Sequence, residues 1–80
     1  MARVKPSDLE RQVNRINSLM GIGTNPTTNY YKVEYAYGKQ RLVQVLVDLG
    51  NSVLPLSEYL TKKELHLFMT GIITGLTLPL

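Results

Sequence analysis

Between Tyr30 and Leu49 the side chains alternate: Tyr31, Val33, Tyr35 and Tyr37 are set against Lys32, Glu34 and Ala36, and Val43, Val45, Val47 and Leu49 against Gln44, Leu46 and Asp48. A period of two belongs to half-buried strands, so the stretch predicts two strands joined near Gly38. On either side the period changes. Leu9, Val13, Ile16 and Met20 recur at steps of four, three and four, and Leu65, Phe68, Met69, Ile72, Ile73 and Leu76 keep the same helical spacing farther on. Each segment can bury its apolar side only against the others, which predicts a single small α+β domain with a helix, a three-stranded antiparallel meander and a helix (α-β-β-β-α).

Local signals set the expected boundaries. Ser7-Asp8-Leu9-Glu10 has the form of a capping box, and Gly21 supplies a stop, so a helix is expected over residues 7–20 behind an arm of residues 1–6. The glycines and proline of residues 21–29 predict a mobile loop. The meander is expected over residues 30–56. A hairpin loop of two or four residues would split the valines from the tyrosines, whereas an odd loop, Gly38-Lys39-Gln40, places Tyr31, Val33, Tyr35, Val43, Val45 and Val47 on one face. Gly50-Asn51 reads as the second turn. Val53-Leu54-Pro55-Leu56 reads as a short edge strand, because a proline cannot donate to a ladder. Thr61-Lys62-Lys63-Glu64 is a second capping box, ahead of a helix expected over residues 62–76.

Eighty residues make one core and no more, and a chain with no cysteine and one histidine, His66, has neither a disulfide framework nor the ligands of a zinc cluster. No cofactor motif is present. His66 lies between Leu65 and Leu67 at the boundary of the apolar stripe, a place for a solvated or hydrogen-bonded imidazole and not for a general base. Asp8, Glu10 and Glu64 fit helix starts, where negative charge suits the dipole, and Glu34 and Asp48 are expected to face solvent from the sheet. No catalytic constellation results, and the chain reads as a non-enzyme. The last sixteen residues are apolar but interrupted by His66, Thr70, Thr74, Thr77 and Pro79, short of the roughly 20 residues a membrane span needs. Arg3 and Lys5 are followed by no apolar run, so a cytoplasmic setting is expected.

Seven cations against three anions fall before residue 42, and two against three after it. The basic first half offers Arg11 and Arg15, four residues apart on the first helix, and Tyr30, Lys32, Lys39 and Arg41 around the hairpin, as candidate contacts to nucleic acid or another partner. Tyr30 is the freest tyrosine for stacking, since Tyr31, Tyr35 and Tyr37 are needed in the core. Leftover apolar surface on Ile72, Ile73, Leu76, Leu78 and Leu80 favours a protein partner or a homodimer.

Leu9-Glu10-Arg11-Gln12-Val13-Asn14-Arg15-Ile16-Asn17 with Gly21, Tyr35-Ala36-Tyr37-Gly38 with Arg41-Leu42-Val43, and Thr61-Lys62-Lys63-Glu64-Leu65 with Gly71-Ile72 resemble a group of small proteins encoded by tailed phages and prophages. The resemblance runs from about residue 8 to residue 76, and the Tyr-Ala-Tyr-Gly hairpin is its most specific part. Lys39 stands where that group has a second glycine after the Tyr-Gly pair, and Leu49-Gly50-Asn51-Ser52 where it has a glycine-rich turn. The resemblance implies a phage or prophage origin, and together with the absence of a chemical site and the surplus apolar surface it leads to the expectation of a phage accessory protein in the host cytoplasm that binds a host protein. It brings no catalytic residues, because the group has no established activity.

Overall fold

The computed structural model describes residues 3–22 and 28–78. Its elements are α1 (Pro6–Leu19), β1 (Tyr30–Ala36), β2 (Lys39–Leu46), a 3-10 turn (Val47–Leu49), β3 (Ser52–Pro55) and α2 (Lys62–Thr77). The strands form one antiparallel sheet in the order β1-β2-β3, as the alternation predicts. Most of the expected mobile loop, the first two residues of the expected arm, and Pro79 and Leu80 lie outside the described residues.

α1 starts one residue earlier than the Ser7 box implied. Lys5 is the N-cap, Pro6 opens the first turn with its φ already suited to a helix, and the Asp8 carboxylate accepts from Lys5 N–H at 2.9 Å. Ser7 is therefore inside the helix and caps nothing. At the other end Gly21, at φ +77°, takes the left-handed position, while Gly21 N–H donates to the Ser18 carbonyl at 3.0 Å and Ile22 N–H to the Asn17 carbonyl at 2.8 Å. This is the Schellman stop that the glycine predicted. Leu9, Val13 and Ile16 are buried as expected, but Met20 falls in the unwinding end and is half-exposed. α2 carries the predicted capping box in full, with Glu64 N–H donating to Thr61 Oγ1 at 3.2 Å and Thr61 N–H to Glu64 Oε1 at 3.0 Å.

The hairpin overturns the expected odd loop. Ala36 pairs with Lys39, so the turn has two residues, Tyr37 and Gly38, both at positive φ (57° and 70°). Such a turn twists in the same sense as the strands and is favoured for that reason. Its register sets Val33 opposite Leu42 and Lys32 opposite Val43. Leu42, and not the valines, therefore faces the helices, while Val43 and Val45 are buried on the opposite face of β2. The hydrophobic pattern could not fix this choice, because Leu42, Val43, Val45 and Leu46 make both faces of β2 apolar. Val47 and Leu49, expected in the strand, lie in the 3-10 turn, where Val47 N–H donates to Asn29 Oδ1 at 3.0 Å.

Both helices lie on one side of the sheet. Leu9, Val13 and Ile16 of α1, Val33 of β1, Leu42 of β2, and Leu65 and Met69 of α2 form the core, flanked by Val4, Tyr31, Leu60, Ile72 and Ile73. α1 packs on β1, α2 on β2, and the helices on each other, whereas neither helix covers β3. Asn17 ties the end of α1 to the open edge of β1, its amide accepting from Tyr31 N–H at 2.8 Å and donating to the Tyr31 carbonyl at 2.9 Å. Beyond β3 the pairing resumes with a two-residue excursion. Leu56 N–H donates to the Leu42 carbonyl at 2.9 Å, Ser57 Oγ accepts from Leu42 N–H at 3.0 Å, and Gln40 and Leu60 then exchange backbone bonds.

Candidate functional site

The sequence offered six contact residues, and the structure does not bring them to one surface. Arg11 and Arg15 lie exposed on α1, turned away from its buried stripe and so from the sheet. Tyr30, Lys32 and Arg41 share the helix-free face of the sheet, with Lys39 at its hairpin end, because directly paired residues of an antiparallel ladder point the same way. Lys32 and Lys39 are exposed, but Tyr30 is half-buried and is not the freest aromatic. That place belongs to Tyr37, which the core was expected to absorb and which is 88% exposed at the hairpin tip.

Arg41 is already engaged. Its Nε donates to Glu34 Oε1 at 2.7 Å, and its guanidinium lies 4.5 Å from the centre of the Tyr59 ring. Tyr59 Oη donates to the same Glu34 oxygen at 3.2 Å, and Tyr37 meets Tyr59 edge-on with centroids 5.7 Å apart. The excursion after β3 carries Tyr59 to this face. Glu34, expected to be solvated, is half-buried here, and the hydrogen bond from Arg41 holds its carboxyl below the usual carboxylate range. Desolvation pushes the Tyr59 phenol up, with the Arg41 charge opposing and Glu34 adding to the rise. Cross-strand pairing of Glu34 with Arg41 follows from the two-residue turn; with an odd loop the ion pair would be lost. No sequence signal points to Tyr59, which lies 25 residues from Glu34.

A different surface emerges on the helix side. From Leu65 to Leu78 no residue carries a full charge, and Leu67 (63% exposed), Phe68 (40%), Leu76 and Leu78 stand out from α2. Phe68 was expected on the buried stripe. It sits on the flank of α2 away from α1, since α1 reaches the opposite flank, where Gln12 Nε2 donates to Thr70 Oγ1 at 2.8 Å. That flank faces the uncovered β3, whose Leu54 stands on the helix side with Gln44. The four residues of β3 and Leu56 after it are exposed.

His66 is half-buried beside an open groove that includes Arg3, Lys62 and Lys63. Among the described residues no three acids or histidines cluster in a way that could hold a metal ion, and no helix is long and apolar enough to cross a membrane. Comparison with protein-family models, with curated proteins and with solved structures found no match.

Proposed function

We propose that this chain is a small non-enzymatic accessory protein that works by docking a protein partner on the outer face of α2 and the adjoining β3. One observation carries the reading: the side of α2 turned away from the core leaves two large hydrophobic side chains, Leu67 and Phe68, exposed, with no Lys, Arg, Asp or Glu from residue 65 to residue 78. Depletion of charge at the centre of a patch distinguishes interface cores from ordinary surface. The resemblance to phage and prophage proteins makes a host protein in the host cytoplasm the partner class we favour, with a second copy of the chain as the other occupant. Affinity capture with wild type and with Phe68→Lys tests it. Phe68→Lys is expected to keep the wild-type circular dichroism and to lose the captured protein, and equal recovery by both baits would sink the reading. Light scattering of both forms separates a second copy from a foreign partner.

The alternative, a nucleic-acid module, draws support from the exposed Tyr37 next to Lys39 at the hairpin tip, with the exposed Lys32 farther along β1. Affinity for single strands that falls steeply with salt and disappears in Tyr37→Ala would establish it in place of the first.

A further inference from the structure

On the side of α2 opposite the buried Leu65 and Met69 stand Lys63, Leu67, Gly71, Thr74 and Leu78, all exposed. The last four follow one another at steps of four, three and four, the spacing of a seam along which two helices pair. Their order, large, small, small, large, reads the same from either end. A second α2 laid antiparallel about a two-fold axis between Gly71 and Thr74 therefore sets each Leu67 beside the other copy's Leu78, and each Gly71 beside the other copy's Thr74. A Cβ built at Gly71 meets no atom within 4 Å, so the middle of the seam is open to a close approach.

Charge selects a second copy as the occupant. In a two-fold pairing a residue near the axis lies close to its own image, where any charge would be repelled, and from residue 65 to residue 78 there is no Lys, Arg, Asp or Glu. At the ends of the seam the charges are complementary. α2 carries Lys62 and Lys63 in its first turn, the wrong end for its own dipole, and no basic residue in its last turn, where a cation is stabilising. Antiparallel pairing brings Lys63 of each copy to the carbonyl end of the other. Glu64, the acid of that first turn, is folded back onto Thr61 N–H at 3.0 Å.

We propose that α2 pairs antiparallel with α2 of a second copy of this chain. The 16 residues of the helix span about 24 Å, so the two strips together bury an area at the low end of specific interfaces, about 1,000 Å², and the dimer is a weak one. It shares only Leu67 with the docking surface proposed above. Phe68 and β3 lie on the neighbouring flank and stay open to a foreign partner, so the two readings stand or fall separately. Sedimentation equilibrium of the whole chain tests the pairing. The mean mass is expected to climb from 9.0 kDa toward twice that value as the concentration rises to about 1 mM. Leu67→Lys and Leu78→Glu, at exposed positions where circular dichroism should not change, each weaken association at least about tenfold. Mixed in equal amounts they regain it, because only the antiparallel pairing sets the introduced lysine of one beside the introduced glutamate of the other. Lys63→Glu weakens it about tenfold, whereas Arg15→Gln on α1 associates as wild type. A mass that stays at 9.0 kDa at every concentration, association untouched by Leu67→Lys, or a mixture no tighter than either variant alone would overturn the proposal.

Discussion

Tyr37 occupies a backbone region that costs a residue with a side chain about 1 to 2 kcal/mol, at φ +57° in a turn where asparagine is the favoured partner of the following glycine. Gly38 meets the second positive φ without that cost. Tyr37 recovers part of the cost through its edge contact with Tyr59, and its remaining surface is open to a partner. Tyr35, one turn of the pleat away, behaves differently. It points to the helix side, where its hydroxyl donates to Glu10 Oε2 at 3.0 Å, and desolvation, with Glu10 adding to it, pushes its phenol from 10.0 up to about 12. The folded state thus holds this proton more tightly than the unfolded chain does. Its contribution to stability is complete below pH 10 and is lost as pH rises through about 12. Tyrosinate absorbance, taken as the difference between wild type and Tyr35→Phe, should show a midpoint near 12 that moves part of the way back toward 10 in Glu10→Gln. A midpoint near 10 in wild type would contradict the packing of Tyr35 against α1.

At the scale of the element, α2 is the least self-sufficient part of the chain. Its start is secured by the Thr61 box, but it then passes through Gly71 and Gly75, and a Cβ built at either position meets no atom within 4 Å. Nothing among the described residues requires a glycine there. Each one costs about 1 kcal/mol relative to alanine in a helix interior. Gly71→Ala and Gly75→Ala should therefore each raise the free energy of unfolding of the isolated chain by up to about 1 kcal/mol in urea titrations. Where α2 docks a partner closely, the same substitutions weaken capture, so stability and binding move in opposite directions. α1 shows the contrary case. Its glycine, Gly21, stands outside the helix and holds the left-handed stop, and its polar Asn17 shields the sheet edge.

For the whole molecule, the asymmetry of the sheet decides where partners can approach. Two helices on a three-stranded sheet cover two strands, and β3 is left at the margin with exposed apolar side chains. Leu42 and Leu54 stand on the same face one strand apart in environment: Leu42 is fully buried beneath α2, and Leu54 is nearly half exposed. Leu42→Ala should cost about 2 to 5 kcal/mol, the range for a core leucine. Leu54→Ala should stay within about 1 kcal/mol in the isolated chain. Equal losses in urea denaturation would mean that β3 is covered after all.

The sequence alone determined the order of the elements, the stop at Gly21, the cap at Thr61 and the edge position of the Pro55 strand, because each rests on residues within a few positions of one another. It also placed Leu9, Val13, Ile16, Leu65 and Met69 inside, since a one-sided stripe leaves a helix no choice. The register of the hairpin was beyond it: with both faces of β2 apolar, either register buries hydrophobic surface, and the twist of a two-residue turn decided between them. From that register followed the pairing of Arg41 with Glu34, which removed one candidate contact, and the exposure of Tyr37, which supplied another. The groove belongs wholly to tertiary structure. Arg3, Gln40 and Lys62 are distant in the chain, and only the packing of α2 on β2 brings them to one groove.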